Sequence, residues 1–201
     1  MANKVKYNIS NSHIALLKRG QMDGKITFDT PFAVPGTVAL TIEPKGERTS
    51  FYADGVEYYS ASQNDGYEGD LEMAMITDEI REKIFKEVLD SKKVLIEDTN
   101  AEEVEFAYGC QIDGNDKSTR IWFYCCKSDR AGLEAKTNEG KKEPQPDKMK
   151  LMMSGAKVVD TDEKLYVRSK TTDTTDGTVY ANWFKTVYIP TFSPEAASHK
   201  A

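Results

Sequence analysis

The sequence predicts a mainly β protein in which one helix packs on the sheet. Apolar and polar residues alternate in several segments, and this is the period of a half-buried strand. Asp-Gly pairs separate some of these segments, and Asp-Gly favours a tight hairpin turn. Only one segment, near 78–90, has the period of an amphipathic helix.

The chain of 201 residues is long enough for one sizeable domain. Its ten tyrosines, eight phenylalanines and two tryptophans can build a hydrophobic core, which argues against a wholly disordered chain. No internal repeat and no domain linker divides the sequence. We therefore expect a single domain over 1–201.

Strand patterns cover most of the N-terminal third of the chain. Segments 12–18 and 25–29 flank Asp23-Gly24, which predicts a hairpin. Segments 37–43 and 69–76 each alternate apolar residues with polar or small ones, so each predicts a strand with one buried face. A further strand is predicted at 165–171 in the C-terminal part.

The predicted helix covers about 78–90. Thr77 is a favourable N-cap, and Asp78 and Glu79 place negative charge in the first turn, where the helix dipole favours it. One stripe is apolar and consists of Ile80, Ile84, Phe85, Val88 and Leu89. This stripe predicts that the helix lies flat on the sheet and contributes to the core.

Segments 104–112 and 118–127 predict a second hairpin, which turns at Asp113–Asp116. Strict alternation in the second strand puts Ile121, Phe123 and Cys125 on one face. It puts Trp122, Tyr124 and Cys126 on the other. Both faces are therefore apolar, whereas an antiparallel strand usually keeps one face in water. We expect both faces to be covered, by the chain itself or by a neighbouring subunit.

Two long stretches read as loops. Segment 129–148 is highly charged and contains two prolines. Segment 45–69 is a polar loop in which tyrosines lie among Ser, Gln, Asn, Asp and Gly. Tyrosines offer a large contact area and small polar neighbours offer adaptable hydrogen bonds, so this mixture suits docking onto another protein. The alternative is an exposed loop whose tyrosines pack back on their own sheet.

The composition argues against several classes of function. The net charge is −6 and the pI about 5.1, and a protein that grips nucleic acid by its phosphates is normally basic. No apolar run approaches the roughly 20 residues of a membrane span. The N-terminus lacks the pattern of a secretory signal.

No constellation of residues predicts catalysis, a cofactor or a metal. Three cysteines, two of them adjacent at Cys125 and Cys126, do not form a disulfide framework, and we expect them to be buried as small hydrophobes. His13 and His199 lie at opposite ends of the sequence, so neither a metal cluster nor a Cys–His nucleophile is indicated. The 113–116 turn lacks the later glutamate of a calcium loop. We therefore expect no enzymatic activity.

Several segments are similar to the phi13-type major tail proteins, which form the tail tube of long-tailed bacteriophages. That family has an FYADG-type segment followed by a YEGDLE-type segment, found here at 51–55 and 67–72. Similarity extends to the N-terminal 1–10, to the IED segment with Asn-Ala at 96–101, and to NWFK at 182–185. These matches keep their order over most of the chain.

The resemblance implies a β-sandwich with a flanking helix and long loops, in a single tail-tube domain over 1–201. Six subunits would close into a ring in which the inner sheets join as one β-barrel. Rings would stack into the hollow tube through which a non-contractile-tailed phage or prophage ejects DNA into its host. The implied partners are further copies of the chain, a tape-measure protein, a distal tail protein and a tail terminator. The implied location is the virion, after synthesis in the bacterial cytoplasm.

The resemblance also suggests roles for particular segments. Segment 45–69 would be a stacking loop, while an N-terminal arm at 1–11 and a C-terminal arm or tail at 182–201 would bridge subunits. The residues expected at these contacts are Phe51, Tyr52, Asp54, Tyr58, Tyr59, Tyr67, Trp183, Phe184 and Tyr188. The acidic character would line part of the lumen and repel phosphates, so DNA would pass without specific binding.

A different class of function remains open from the sequence. The chain could be a non-catalytic β-sandwich module that binds a carbohydrate or a peptide. Tyr58, Tyr59 and Trp122 would then form its stacking platform. A tube protein grows with concentration and takes no small ligand, whereas a binding module stays small and saturates with its ligand.

Overall fold

A computed structural model describes residues 5–20, 24–114, 117–137, 140, 143–160 and 163–192. The predicted mainly β class is confirmed. The first seven strands are β1 (Lys6–Arg19), β2 (Ile26–Phe28), β3 (Phe32–Ala33), β4 (Thr37–Lys45), β5 (Arg48–Ala53), β6 (Val56–Ser62) and β7 (Gly66–Met73). After helix α1 (Asp78–Lys83) come β8 (Val88–Leu89), β9 (Leu95–Ile96), β10 (Phe106–Gly114), β11 (Thr119–Ser128), β12 (Asp147–Ser154), β13 (Arg168–Lys170) and helix α2 (Gly177–Ala181).

Nine of these strands form one antiparallel sheet. Its main path is β2-β1-β10-β11-β12-β7-β4, with β3 added beside β1 and β13 beside β11. Two short ribbons, β5-β6 and β8-β9, stand apart from it. Both predicted hairpins are present, since β2 pairs with β1 and β10 pairs with β11. Parts of both turns lie outside the described residues.

The sheet curves so that the chain from Val34 to the start of β4 lies against β1. Val34 donates its backbone N–H to the carbonyl of Ser12 at 2.7 Å, and Thr37 donates its hydroxyl to the Ser12 hydroxyl at 2.7 Å. The curve encloses the main core, which contains Ile14, Leu71, Met73, Phe106, Tyr108, Phe123, Met149 and Leu151. Helix α1 closes this core with Ile80, which is fully buried.

A second core lies on the opposite face of β10 and β11, where the C-terminal segment covers it. The indole Nε1–H of Trp122 donates to the carbonyl of Trp183 at 2.9 Å. The Tyr124 hydroxyl donates to the carbonyl of Tyr188 at the same distance, 2.9 Å. Strand β11 is therefore covered on both faces by its own chain.

A β-bulge in β11 corrects the predicted alternation. Phe106 is opposite Cys126 and Tyr108 is opposite Phe123, so β11 has one more residue than β10 over this stretch. The extra residue moves Cys125 to the second core beside Tyr124, and Cys126 to the main core. Strict alternation predicts the reverse faces for these two cysteines and is wrong here. All three cysteines are free thiols and buried, as predicted.

The predicted helix is shorter than its apolar stripe. It begins after the Thr77 N-cap as expected but ends at Lys83, with Ile84 as its C-cap. Lys86 then has a φ of 59°, a left-handed conformation that directs the chain into β8. Val88 is consequently a strand residue, and its side chain is exposed.

Three other segments differ from the sequence prediction. The region predicted as an N-terminal arm belongs to β1 from residue 6 onward, because that half of the strand pairs with β10. Strand β12 begins at Asp147, at the end of the predicted 129–148 loop, and pairs along most of β7. Helix α2 had no counterpart in the sequence analysis, and Asp176 caps its first turn through Thr178 and Val179.

The packing of Gly109 against Trp122 predicts a stability change. A Cβ atom at Gly109 would lie 2.7 Å from the Trp122 ring, which is fully buried. Gly109→Ala should therefore lower the free energy of unfolding by about 1–3 kcal/mol. Urea unfolding followed by tryptophan fluorescence measures the change.

Gly132→Ala is the matched control, because a Cβ there meets no atom within 4 Å. Its stability should remain within about 0.5 kcal/mol of the parent protein. Equal stability of the two variants would contradict the packing of Gly109 on Trp122.

Candidate self-assembly surface

The predicted stacking loop is a β-hairpin. Strands β5 and β6 pair from Arg48–Ser62 to Ala53–Val56 and turn at Asp54-Gly55. Asp54 has a φ of 53° and Gly55 a φ of 80°, and a type I′ turn requires positive φ at both central residues. Asp-Gly favours such a turn, but the sequence prediction places this pair in the 45–69 loop and does not include the hairpin.

The β5-β6 hairpin continues the β4-β7 pair outward from the main sheet. Backbone hydrogen bonds of 2.9 Å join Gln63 to Glu47 and Asp65 to Lys45 across the junction. At the junction the two chains lie very close, since a Cβ on Gly46 would lie 2.0 Å from the Gln63 carbonyl oxygen. Only glycine fits at that point, so the junction fixes the direction of the hairpin.

One face of the hairpin is polar. Arg48 lies 3.2 Å from the Glu57 carboxylate, which also accepts a hydrogen bond of 3.1 Å from the Ser50 hydroxyl. Arg48 donates to Ser60 as well, at 3.3 Å. These side chains bind one another across the two strands and so leave the other face to different residues.

The opposite face is aromatic, because a β-bulge places two tyrosines there. Phe51 pairs with Tyr59 and Tyr52 pairs with Glu57, so Tyr58 is the extra residue. Both tyrosines of the bulged strand therefore oppose Phe51. The side chains of Phe51, Tyr58 and Tyr59 are 60%, 75% and 61% exposed. We call this group the aromatic face; Tyr52 and Asp54, the other predicted contact residues here, are also exposed but lie outside it.

Tyr67 is not part of the hairpin. It lies in β7, half-buried, with its ring edge-on to Phe123 at a centroid distance of 5.9 Å. The guanidinium of Arg168 lies over the same ring, 4.9 Å from its centroid. Tyr67 therefore joins the base of the hairpin to the main core.

The three predicted C-terminal contact residues belong to the second core. Trp183 is only 3% exposed and stacks on Tyr188 with ring centroids 5.1 Å apart. Phe184 is half-buried and stacks on His13 at 4.7 Å. The nine predicted contact residues thus divide into an exposed hairpin set and a set that packs within the subunit.

Two strand edges carry backbone groups without a neighbouring strand in the described part of the chain. Strand β4 pairs with β7 on one side, and its other side has no strand partner. The 6–11 half of β1 pairs only with β10, because β3 and β2 join β1 further along. Such edges can pair with a strand of another chain.

A cleft of about 560 Å³ lies where β1 begins, β10 ends and β13 crosses. Its charged lining consists of Lys6, Asp113, Lys117, Arg168, Lys170 and Asp173. Asp113 accepts hydrogen bonds from Gln111, Ser118, Ser10 and Asn8, and these bonds hold its pKa below the ordinary value. We call this site the cationic cleft.

The described residues offer little for covalent or metal chemistry. Burial raises the pKa of Cys110 to about 12, and it also raises the pKa values of Cys125 and Cys126. The thiolate is the reactive form, so these thiols are poor nucleophiles. No group of three or more His, Cys, Asp or Glu side chains suited to a metal ion occurs within the described ranges.

No family model matches the chain, and no curated protein matches its sequence. In the described part of the chain, neither helix has the length and apolarity that a membrane crossing requires.

The division of the predicted contact residues into two sets can be tested by mutation. Trp183→Ala should lower the free energy of unfolding by about 3–5 kcal/mol, because it empties part of the second core. Tyr58→Ala should change it by less than about 0.5 kcal/mol, since the ring is mostly in water. Thermal and urea unfolding of the two variants measure both values, and similar losses would contradict this division.

Proposed function

We propose that this protein is a tail tube subunit of a long-tailed phage or prophage. Copies would assemble into stacked rings, with six subunits per ring as in the family that the sequence resembles. The stack would form the hollow conduit for DNA ejection. The observation that carries the proposal is the aromatic face, held outside the folded domain on a hairpin of fixed direction.

The aromatic face supports self-assembly on physical grounds. Aromatic side chains that leave water contribute more to an interface than most others, and here three of them are adjacent. The hairpin contributes almost no burial to its own domain, since most of its residues are exposed. Stability of the monomer therefore does not explain the hairpin, whereas contact with a second subunit does.

The strand edges support the proposed ring. A ring forms when one surface of a subunit binds a different surface of the next and the rotation closes. Pairing the free side of β4 with a strand of a neighbouring subunit would extend the sheet around the ring as one β-barrel. It would also satisfy the backbone groups that an open edge leaves exposed.

The assembled tube also implies the charge of the lumen, the partner proteins and the location of the protein. The net charge of −6 suits a lumen past which DNA moves without adhering. A tape-measure protein would occupy the tube during assembly, and a distal tail protein and a tail terminator would bind its two ends. The protein would be a structural component of the virion, without enzymatic activity.

Light scattering combined with negative-stain microscopy over a concentration series tests the proposal. We expect hollow rings or tubes that grow with concentration, either spontaneously or after addition of a tail-initiator complex. A particle that stays monomeric with the initiator present, and that saturates with a carbohydrate or peptide, would instead indicate the binding module.

Replacing two residues of the aromatic face should block stacking. The double variant Tyr58→Ala, Tyr59→Ala should keep the unfolding midpoint of the parent protein, because both rings are exposed. Tube growth should fall by at least about tenfold, as expected when interface aromatics are removed. Turbidity and negative-stain microscopy give the readout.

Leu165→Ala is the control variant. Leu165 is 66% exposed and lies outside the hairpin, just before β13. Its loss should leave tube growth unchanged, because a single exposed apolar residue away from an interface carries little energy. Normal tubes from the double tyrosine variant would show that the aromatic face does not mediate stacking.

A further inference from the structure

The two ends of the central strands differ in charge. Strand β10 runs from Phe106 to Gly114, and Gly114 lines the cationic cleft. Segment 97–105 leads into its other end and holds five carboxylates and no cation. Eight residue steps at about 3.3 Å separate the two ends by roughly 26 Å. One end of the subunit is therefore cationic and the other acidic.

Within the described ranges, none of the four cations of the cleft forms an ion pair. Two carboxylates, Asp113 and Asp173, also line the cleft, so four cations and two carboxylates give its lining a net charge of +2. Lys6 and Lys170 form no ion pair within the described ranges, whereas most other cations there do. Arg168 lies over the Tyr67 ring, and Lys117 lies over the Tyr180 ring at 4.3 Å. The cleft of about 560 Å³ thus presents positive charge in a chain whose net charge is −6.

The acidic end accounts for most of the net negative charge of the protein. Segment 77–105 contains ten carboxylates and five cations, a net charge of −5 out of −6 for the chain. Within it, Glu97, Glu103 and Glu105 form ion pairs with Arg130, Lys127 and Arg19. Asp98 and Glu102 are the carboxylates of 97–105 that form no ion pair within the described ranges. The short β8-β9 ribbon in the same segment exposes the apolar side chains of Val88 and Ile96, which pair across it.

The β5-β6 hairpin points toward the cationic end. Strands β7 and β11 both pair antiparallel with β12, so they run in the same direction, and β11 begins at Thr119, which lines the cleft. The hairpin leaves β7 at its first residue, Gly66, and therefore extends in the direction of the cleft. The cationic end has an aromatic face beside a positive cleft, while the other has an apolar ribbon beside a negative segment.

We infer that the acidic end of one copy docks onto the hairpin end of the next copy. Segment 97–105 binds the cationic cleft, and the β8-β9 ribbon receives the aromatic face. This inference rests on the proposed function, and it names the surface on which each new subunit stacks. Because the two surfaces differ, each docking leaves one free hairpin end and one free acidic end, so the stack grows with a single direction.

Electrostatic and hydrophobic interactions both favour this docking orientation. Charge complementarity joins the cationic cleft to the acidic segment, and two apolar surfaces leave water together. A copy added in the opposite orientation would place its acidic end against the acidic end of its neighbour, where like charges repel. The charge therefore selects the direction of stacking.

Charge reversal on each surface tests the inference. The cleft variant is Lys6→Glu, Lys170→Glu, and the acidic-end variant is Glu102→Lys, Glu103→Lys. Each alone should slow tube growth by at least about tenfold, because like charges then meet at the contact. A chain that carries all four changes should recover growth to within about threefold of the parent, since complementarity returns with its sign exchanged.

The control variant is Lys18→Glu, Lys157→Glu, which alters the net charge as the cleft variant does. Both lysines lie in exposed ion pairs away from the cleft, with Asp29 and Glu163. It should grow tubes at the parent rate, and circular dichroism should show every variant folded. Recovery in the fourfold variant supports the inference, because a general loss of charge or of folding would not be reversed.

The outcomes separate the inference from the proposed function. If the parent protein forms tubes and neither reversal slows them, the docking of segment 97–105 on the cleft is wrong and the tail tube proposal stands. If each reversal slows growth but the fourfold variant does not recover, the two surfaces do not meet and the inference is again wrong. If the parent protein never assembles, even with an initiator complex, both the docking inference and the tail tube proposal are wrong.

Discussion

The double burial of β11 determines the architecture of this protein. Trp122 and Tyr124 face one core, while Phe123 and Cys126 face the other. Truncating a buried aromatic side chain of this kind to Ala costs about 3–5 kcal/mol. A strand with two apolar faces is stable only where both faces are covered. Here β10, β12 and β13 flank β11, and the C-terminal segment covers its outer face.

The elements outside these two cores contribute little to the stability of the folded subunit. The main core needs helix α1 and the inner faces of β7, β10 and β12, and the second core needs the segment around Trp183. The β5-β6 hairpin, the β8-β9 ribbon and the outer side of β4 contribute little to either. These elements are the exposed ones, and they carry the surfaces to which assembly is assigned.

The sequence predicted those features that depend on local pattern. Alternation identified β4 and β7, the Asp-Gly pair after Met22 identified the first hairpin, and Thr77 identified the start of α1. The failures have non-local causes. The apolar stripe continues through Val88, but the chain leaves the helix at Ile84 and turns at Lys86. Such a turn depends on packing against the sheet rather than on periodicity.

The same limit applied to the candidate site. Composition identified the aromatic segment at 51–59, yet only strand register reveals that a bulge places Tyr58 and Tyr59 together opposite Phe51. NWFK near the C-terminus suggested surface contacts, but Trp183 is buried because the outer face of β11 needs a cover. Residues from three distant segments of the chain line the cleft, so no local sequence pattern predicts it.

Buried area and ion-pair energies indicate what the aromatic and the charged contacts would each contribute to the proposed tube. Phe51, Tyr58 and Tyr59 are 60%, 75% and 61% exposed, so their full burial would remove roughly 300–500 Å² from water. This is about half of the roughly 800 Å² that each partner contributes to a standard interface. Exposed ion pairs contribute at most about 1 kcal/mol each, and salt screens them. In the stack that we propose, the aromatic face would therefore supply the affinity, and the separation of charge between the two ends would supply the direction.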